Sequence, residues 1–217
     1  MEYIEGKTLD KQIKSAEGDD GTQVRGLEPR YAARLALHVA QGLVAIHSLG
    51  LVHRDIKPAN IMLDAKTRRA RITDFGLARS VDSGLARTRG VIGTPEYMSP
   101  EQFESSMGDI GHPSDIYSLG VVLYEMLIGK RPFSGSDQQI SQQVLHKEPK
   151  KPRSINPKIP VDLETICLAC LEVFPKDRFR DAARRIGDLT RYLTDQPIQR
   201  RTATPAHPQT LFARRNR

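Results

Sequence analysis

Two short segments determine the architecture that we expect of this chain, namely His53-Arg54-Asp55-Ile56-Lys57-Pro58-Ala59-Asn60 and Asp74-Phe75-Gly76. An isolated Asp or Lys on a loop is normally a solvated charge with no particular task. Here an acid, a cation and an amide follow each other at short spacing in the first segment, and the second segment opens with another acid. The two segments are very unlikely to occur together in one chain by chance, so we treat these side chains as a functional set.

The residue types in this set meet the needs of phosphoryl transfer from ATP, which depends on positioning and on charge stabilisation rather than on covalent chemistry. Asp55 can accept the hydrogen bond and then the proton of an attacking hydroxyl, and orientation is its larger contribution because a carboxylate is a weak base. Lys57 can place an ammonium beside the γ-phosphate. Asn60 and Asp74 offer oxygen ligands of the kind that Mg²⁺ prefers. The two segments also resemble those of protein kinases, and this resemblance implies ATP and Mg²⁺ as cofactors and these four residues as catalytic.

The two segments resemble the catalytic loop and the metal-binding triplet of protein kinases. The resemblance covers roughly residues 1–193, and the chain is similar to the C-terminal lobe of a bacterial-type serine/threonine protein kinase. It implies a protein-kinase-like fold, here a mainly α-helical lobe with a few short β-strands around the catalytic loop. It also implies transfer of the ATP γ-phosphate to Ser and Thr hydroxyls of a protein substrate, since Lys57 and Gly93-Thr94-Pro95-Glu96-Tyr97 are similar to their counterparts in serine/threonine kinases.

Further positions take roles from the same resemblance. Residues 1–6, Met-Glu-Tyr-Ile-Glu-Gly, resemble the hinge between the two kinase lobes. This implies that the backbones of Glu2 and Ile4 hydrogen-bond the adenine ring and that Met62 packs beneath it. The complete cofactor-binding set is then Glu2, Ile4, Lys57, Asn60, Met62 and Asp74, within which Asn60 and Asp74 form the metal site.

The resemblance also predicts a regulatory set, formed by Arg54, Thr88 and Thr94. In similar kinases the Arg before the catalytic Asp is held by a phosphorylated loop residue, whose charge-assisted hydrogen bonds order the segment. Thr88 stands where that phosphate is expected, so we predict autophosphorylation there, with an ordinary polar loop residue as the alternative. Thr94 is expected to bond Asp55 and Lys57.

Several other residues are expected to be structural rather than catalytic. Asp115 resembles the helix Asp that braces the catalytic-loop backbone, and Arg178 resembles the Arg that pairs with Glu101. Cys167 and Cys170 form a lone C-x-x-C. They lie in an apolar helical pattern, which favours buried structural thiols over a zinc site.

Apolar periodicity and capping residues predict the remaining architecture. Pro29 is expected to open a long helix that Gly50 ends, and Ser114 is expected to cap a strongly apolar helix. Residues 77–100 lack periodicity and are predicted to form a long functional loop, and residues 1–4 are predicted to be extended. The helix that Ser114 caps spans 115–128, and Thr8 is expected to cap a short helix that runs through Ile13. The other predicted helices span 136–145, 162–171 and 181–193, and the predicted strands span 51–52, 61–63 and 69–73.

The composition of the 217-residue chain suits a globular protein, with 38% hydrophobic and 27% charged residues. No apolar leader or membrane-spanning stretch is visible, and two Cys in such a chain suggest a reducing, cytoplasmic location. Five Arg residues follow Asp195 without an acid among them and account for most of the net charge of +7, so we predict a disordered basic tail at 194–217. A nucleic-acid or membrane-surface function of that tail is disfavoured, because Phe212 is the single aromatic residue near these Arg residues.

A Gly-rich loop, a strand Lys and its partner Glu, which similar kinases carry in an N-terminal lobe, are absent from the sequence. Three explanations compete. The start of the protein lies upstream of Met1, or the chain is a remnant that binds partners without catalysis, or a second kinase chain supplies the missing lobe. The intact catalytic residues favour the first explanation. The alternative function is a catalytically inactive kinase-like lobe that serves as a substrate- or partner-binding module.

Overall fold

The computed structural model describes residues 4–16, 26–74, 79–80, 93–178 and 182–199. Helices account for most of the regular structure in these ranges, and the strands are short, as predicted. The helices are α1 (Leu9–Lys14), α2 (Pro29–Ser48), α3 (Pro100–Phe103), α4 (His112–Ile128), α5 (Asp137–His146), α6 (Pro152–Ile155), α7 (Val161–Cys170) and α8 (Ala182–Leu193). The strands are β1 (Gly6–Thr8), β2 (Leu51–Val52), β3 (Ile61–Asp64), β4 (Ala70–Ile72) and β5 (Arg79–Ser80).

Helix α4 lies at the centre of the core, because its sequence is apolar on all sides rather than along one stripe. It packs against α2 and α7, and α2 also packs against α8. Gly120 allows the close approach of α4 to α7, since a Cβ atom at this position would lie 2.5 Å from the Cβ atom of Cys170. Cys167 and Cys170 are free, buried thiols, as predicted. Among the helices in the described ranges, none combines the length and the hydropathy of a bilayer-spanning segment.

An antiparallel sheet with the strand order β1-β3-β4 brings two predicted metal ligands to one edge. In the β3–β4 hairpin Ile61 pairs with Ile72, so Asn60 and Thr73 lie across from each other at the end of the hairpin. The backbone N–H of Thr73 donates to the carbonyl oxygen of Asn60 at 2.9 Å. Asp74 is the next residue, and the pairing therefore places Asn60 and Asp74 at the same edge of the sheet.

Of the loop predicted over residues 77–100, residues 77–78 and 81–92 lie outside the described ranges. In the described part the prediction is wrong in two places. Arg79–Ser80 forms strand β5, which pairs antiparallel with β2, and Pro95–Tyr97 forms one turn of 3₁₀ helix. A two-residue strand has no periodicity of its own and is defined by a partner that is distant in sequence. No local pattern could therefore reveal it.

The predicted start of α4 is also wrong, because the helix begins at His112 rather than at Asp115. Pro113 occupies the first turn, where a missing backbone N–H is tolerated. Ser114 is the third residue of the helix, and from there its hydroxyl still caps the helix by accepting from the N–H of Gly111 at 3.2 Å. Its hydroxyl faces the core and donates to Oε1 of Glu101 at 2.7 Å.

Two short helices, α3 and α6, were not predicted. The remaining differences lie towards the ends of the chain. Gly6–Thr8 forms a strand that was not predicted and that pairs with β3. Residues 1–3 of the extended piece predicted over 1–4 lie outside the described ranges, so that prediction stays a prediction. After α8, the N–H of Gln199 donates to the carboxylate of Asp188 on that helix at 2.8 Å. The beginning of the predicted tail is therefore hydrogen-bonded to α8. The remaining predicted helices and strands agree with the structure to within about two residues, which is the usual uncertainty of element ends.

Candidate active site

Two residues of the candidate site adopt backbone conformations that are costly for any residue other than glycine. Arg54 has a φ of 68° and Asp74 has a φ of 60°. Both values lie in the left-handed region, where a non-glycine residue costs about 1–3 kcal/mol. Such conformations persist where the surroundings enforce them, so the groups that hold the backbone next to Asp55 are part of the site.

The carboxylate of Asp115, which is fully buried on helix α4, holds the backbone before Asp55. Its Oδ2 accepts from the N–H of His53 at 2.9 Å, and its Oδ1 accepts from the N–H of Arg54 at 2.8 Å. The same Oδ2 lies 2.8 Å from Nε2 of His47. Asp115 therefore braces the loop as predicted, and it fixes the left-handed turn at Arg54 through charge-assisted hydrogen bonds.

The side chain of Asp55 is held by three other predicted site residues. Its Oδ2 lies 2.7 Å from Nζ of Lys57 and accepts from the side-chain N–H of Asn60 at 2.9 Å. Its Oδ1 accepts from the hydroxyl of Thr94 at 3.1 Å, and that hydroxyl accepts from Lys57 at 2.8 Å. These four residues come together although Thr94 is distant in sequence, and the Asp55 side chain remains 10% exposed.

The ring of His53 connects this loop to the strand that precedes Asp74. The N–H of Asp55 lies 3.3 Å from Nδ1 of His53, and Nε2 lies 3.3 Å from the carbonyl oxygen of Thr73. Since Nδ1 must accept in the first contact, the ring proton is assigned to Nε2, which donates in the second. The buried ring therefore ties the position of Asp55 to that of Asp74, which is exposed.

The structure describes only part of the predicted adenine and regulatory sets. Met62 lies on β3 opposite Thr8 of β1 and is half-buried, as is Ile4. Glu2 and Thr88 lie outside the described residues. The adenine-binding and phosphorylation predictions therefore stay predictions.

Sequence reasoning missed Gln102, which lies on α3 and connects two loops of the site. Its Oε1 accepts from the N–H and the hydroxyl of Ser99 at 3.0 and 3.1 Å, and its Nε2 donates to the carbonyl oxygen of Arg54 at 3.3 Å. A Ser followed three residues later by a Gln is the sequence signature of a capping box. That signal could have predicted the contact with Ser99, but no local signal announces the contact with Arg54.

We expect Gln102→Ala to lower the free energy of unfolding by about 1 kcal/mol, because it removes a helix cap. Gln102→Glu is the matched variant, since its carboxylate can still accept from Ser99 but cannot donate to Arg54. Urea denaturation of both variants measures the two contacts separately. An unchanged midpoint for Gln102→Ala would show that neither contact stabilises the fold.

A buried polar contact fastens the segment after Thr94 to α4. The hydroxyl of Tyr97 donates to Oε2 of Glu125 at 2.7 Å. Burial raises the pKa of Glu125, while the hydrogen bond from Tyr97 and the charge of Arg131 oppose that effect. Arg131 also pairs with Glu96 at 2.8 Å. These contacts fix the position of the loop that follows Thr94.

Arg178 and Glu101 form the predicted structural ion pair, and neither side chain is exposed to solvent. The two terminal nitrogens of Arg178 each donate to one carboxylate oxygen of Glu101 at 2.7 Å. The other N–H groups donate to the backbone carbonyls of Pro113, Glu172 and Val173. All five guanidinium donors are therefore used, and the pair fastens α3 and the start of α4 to the segment after α7.

Comparison with known proteins shows the family to which this chain is similar. Residues 1–188 match the family described as "Protein kinase domain". A probable serine/threonine-protein kinase of Clostridium perfringens is 38% identical over 202 residues, which cover 91% of this chain and 28% of that relative. The serine/threonine-protein kinase PknB of Mycobacterium leprae is 38% identical over 200 residues, which cover 91% of this chain and 30% of that relative. The chain thus spans less than a third of the length of these curated relatives.

Proposed function

The chain belongs to the protein kinase family, and on that premise we propose that it transfers the γ-phosphate of ATP to Ser or Thr hydroxyls of protein substrates. The observation that carries this proposal is the mutual contact of Asp55, Lys57 and Thr94, in which Nζ of Lys57 contacts both of the others. A solvated surface carboxylate needs no such contacts to fix its orientation. A group that orients a substrate hydroxyl needs them, because small misplacements of reacting atoms are costly.

Asp55 is the proposed proton acceptor. In the proposed reaction the oxygen of the substrate hydroxyl forms a bond to the γ-phosphorus, and the bond from that phosphorus to the bridging oxygen of ADP breaks. The hydroxyl proton passes to a carboxylate oxygen of Asp55. Lys57, beside the same carboxylate, stabilises the negative charge on the transferred phosphoryl group.

Asn60 and Asp74 are the residues that would hold Mg²⁺, and they fit this role by donor type. The side-chain nitrogen of Asn60 donates to both the carbonyl and the carboxylate of Asp55, so its amide oxygen is the atom left to ligate a cation. Asp74 offers an exposed carboxylate at the same edge of the sheet, and oxygen ligands suit this ion. When bound, the metal neutralises the phosphate oxygens of the nucleotide. The proposed adenine contacts are Glu2, Ile4 and Met62.

A phosphotransfer assay tests this proposal. The protein is incubated with Mg-ATP and a mixture of bacterial proteins, phosphoserine and phosphothreonine are measured by mass spectrometry, and a sample with EDTA is the control. We expect metal-dependent transfer to Ser and Thr residues. If the protein binds nucleotide or protein substrates without any transfer, the proposal fails and the chain acts as a binding module, which is the alternative function.

Autophosphorylation at Thr88 is a separate prediction, and it concerns a residue outside the described ranges. The phosphate is proposed to pair with Arg54 and to order the segment between them through charge-assisted hydrogen bonds. We expect phosphopeptide mapping of active protein to find the phosphate at Thr88, and Thr88→Ala to lower activity by roughly 10-fold, the loss of one charged hydrogen bond. Thr88→Ser keeps a phosphate acceptor and is the control. Active protein without phosphate at Thr88 would rule the prediction out.

A further inference from the structure

Two imidazole rings stack beside the brace of the catalytic loop. The ring of His47, on α2, lies nearly parallel to that of His112, the first residue of α4, with 4.1 Å between ring centroids and 10° between planes. Asp115 follows His112 by three residues, so both side chains project from one face of the first turn of α4. Asp115 contacts the Nε2 edge of the His47 ring at 2.8 Å, and His112 covers its face. The His47 ring is thus held at two points, and its side chain is 7% exposed.

We propose that His112 is a positioning residue for the catalytic loop, and that it acts by holding the His47 ring in the orientation that bonds Asp115. The inference rests on the proposed kinase function for its catalytic consequence. The contacts themselves need no nucleotide, so they can be tested separately from activity.

The carboxylate of Asp115 connects the His47–His112 stack to the catalytic loop. Oδ2 of Asp115 is shared between His47 and the N–H of His53, while Oδ1 bonds the N–H of Arg54. If the His47 ring turned, a fully buried carboxylate would lose one of its donors, which is unfavourable because water cannot replace the bond. The strained turn at Arg54, one residue before Asp55, would then lose part of its support.

The surroundings of the stack favour a neutral His112. Its Nε2 is buried and has no hydrogen-bond partner in the part of the chain that the structure describes, so a positive charge on this ring would be poorly solvated. Burial lowers the pKa of His112 and the adjacent His47 lowers it further, although Asp115 opposes both. Within the described ranges, the charged and titratable groups next to the stack are His47 on α2 and Asp115 on α4. His53 and Arg54 of the catalytic loop contact the same Asp115, and the Arg178–Glu101 pair lies behind the first turn of α4.

The support that His112 gives should therefore weaken in acid. The pKa of His112 in the folded chain lies below the value of about 6.5 for an unperturbed imidazole, so the unfolded chain takes up this proton first. The stabilisation is complete above about pH 6.5 and is lost as the pH falls below that value.

Amide hydrogen exchange of His53 and Arg54, without nucleotide, tests the proposal at about pH 7.5 and about pH 5.5, on either side of the imidazole value. His112→Phe keeps a flat ring that cannot be protonated, and His112→Ala removes the stack. We expect His112→Ala to lower protection by about 10-fold at both pH values, which is the effect of weakening one hydrogen bond to a charged group. We expect the wild type to lose protection at the lower pH and His112→Phe to lose none. His146→Phe replaces an exposed imidazole on α5 and is the matched control.

Equal protection in the wild type and in His112→Ala would overturn the proposal, and so would a His112→Phe variant that keeps the pH dependence of the wild type. If His112→Ala does not fold, His112→Phe still decides the question, because it removes the titration and keeps a ring. In active protein, His112→Ala should lower kcat with little change in the KM for ATP. Since exchange needs no phosphotransfer, an inactive protein with the expected exchange pattern contradicts the proposed function and leaves the role of His112 intact.

Discussion

Replacing Arg178 with alanine is expected to lower the free energy of unfolding by about 3–5 kcal/mol. The guanidinium and the carboxylate of Glu101 are both completely buried, so alanine would leave a negative charge with no cation beside it, and with the hydroxyl of Ser114 as its remaining donor, where water does not reach. It would also remove the donor from the carbonyls of Pro113, Glu172 and Val173. Urea denaturation measures the loss as a lower midpoint with an unchanged slope.

Two further changes separate the cost of an unpaired charge from the cost of lost packing. Arg178→Lys keeps the positive charge but cannot reproduce the planar fork that bonds both carboxylate oxygens, so we expect an intermediate loss. Combining Arg178→Met with Glu101→Gln removes both charges and should be less damaging than Arg178→Ala alone. A midpoint for Arg178→Ala equal to that of the wild type would contradict a buried, fully bonded pair.

Asp55→Asn is expected to lower kcat for the proposed phosphotransfer by about 10²–10⁴-fold, the usual contribution of a positioned proton acceptor. An amide cannot take up the hydroxyl proton. Its nitrogen is a hydrogen-bond donor and cannot accept from the ammonium of Lys57, which lies 2.7 Å from a carboxylate oxygen of Asp55 in the wild type. The KM for ATP should change less than kcat, because the lost interaction belongs to the chemical step. Initial rates over a range of ATP concentrations separate the two constants.

Asp109→Asn is the matched control for this variant, since it makes the same chemical change on an exposed residue outside the site. It should leave kcat unchanged. Circular dichroism and urea denaturation of both variants report whether the fold persists. A fall in kcat of less than about 10-fold in folded Asp55→Asn, well below the usual range, would mean that Asp55 is not the proton acceptor.

The parts of the site that lie within one short segment could be predicted from the sequence motif of that segment. Asp55, Lys57 and Asn60 are neighbours in the chain, so a single loop brings them together. The contacts of Asp55 with Thr94 and of Arg54 with Asp115 bridge 39 and 61 residues. Contacts over such separations leave no periodic signal, and the family resemblance was needed to expect them.

The parts that were missed depend on pairs whose members carry no signal alone. Strand β5 is defined by its pairing with β2. The role of Gln102 in the site depends on its hydrogen bond to the carbonyl oxygen of Arg54 in the catalytic loop. The error at the start of α4 had a further effect. With a helix that began at Asp115, His112 lay outside it, so the shared face of these two residues could not be recognised.

The close approach of α4 and α7 also makes the chain a reporter of its own unfolding. Its two cysteines lie on α7 against the central helix, with Sγ of Cys167 at 3.7 Å from the carbonyl oxygen of Gly120 and Cys170 packed on the same glycine. An alkylating reagent cannot reach either thiol while the two helices are packed, so labelling must proceed through opening of the core. The rate of alkylation therefore measures how often the centre of the protein opens, without any added probe, and the same reaction would register the destabilisation expected for Arg178→Ala.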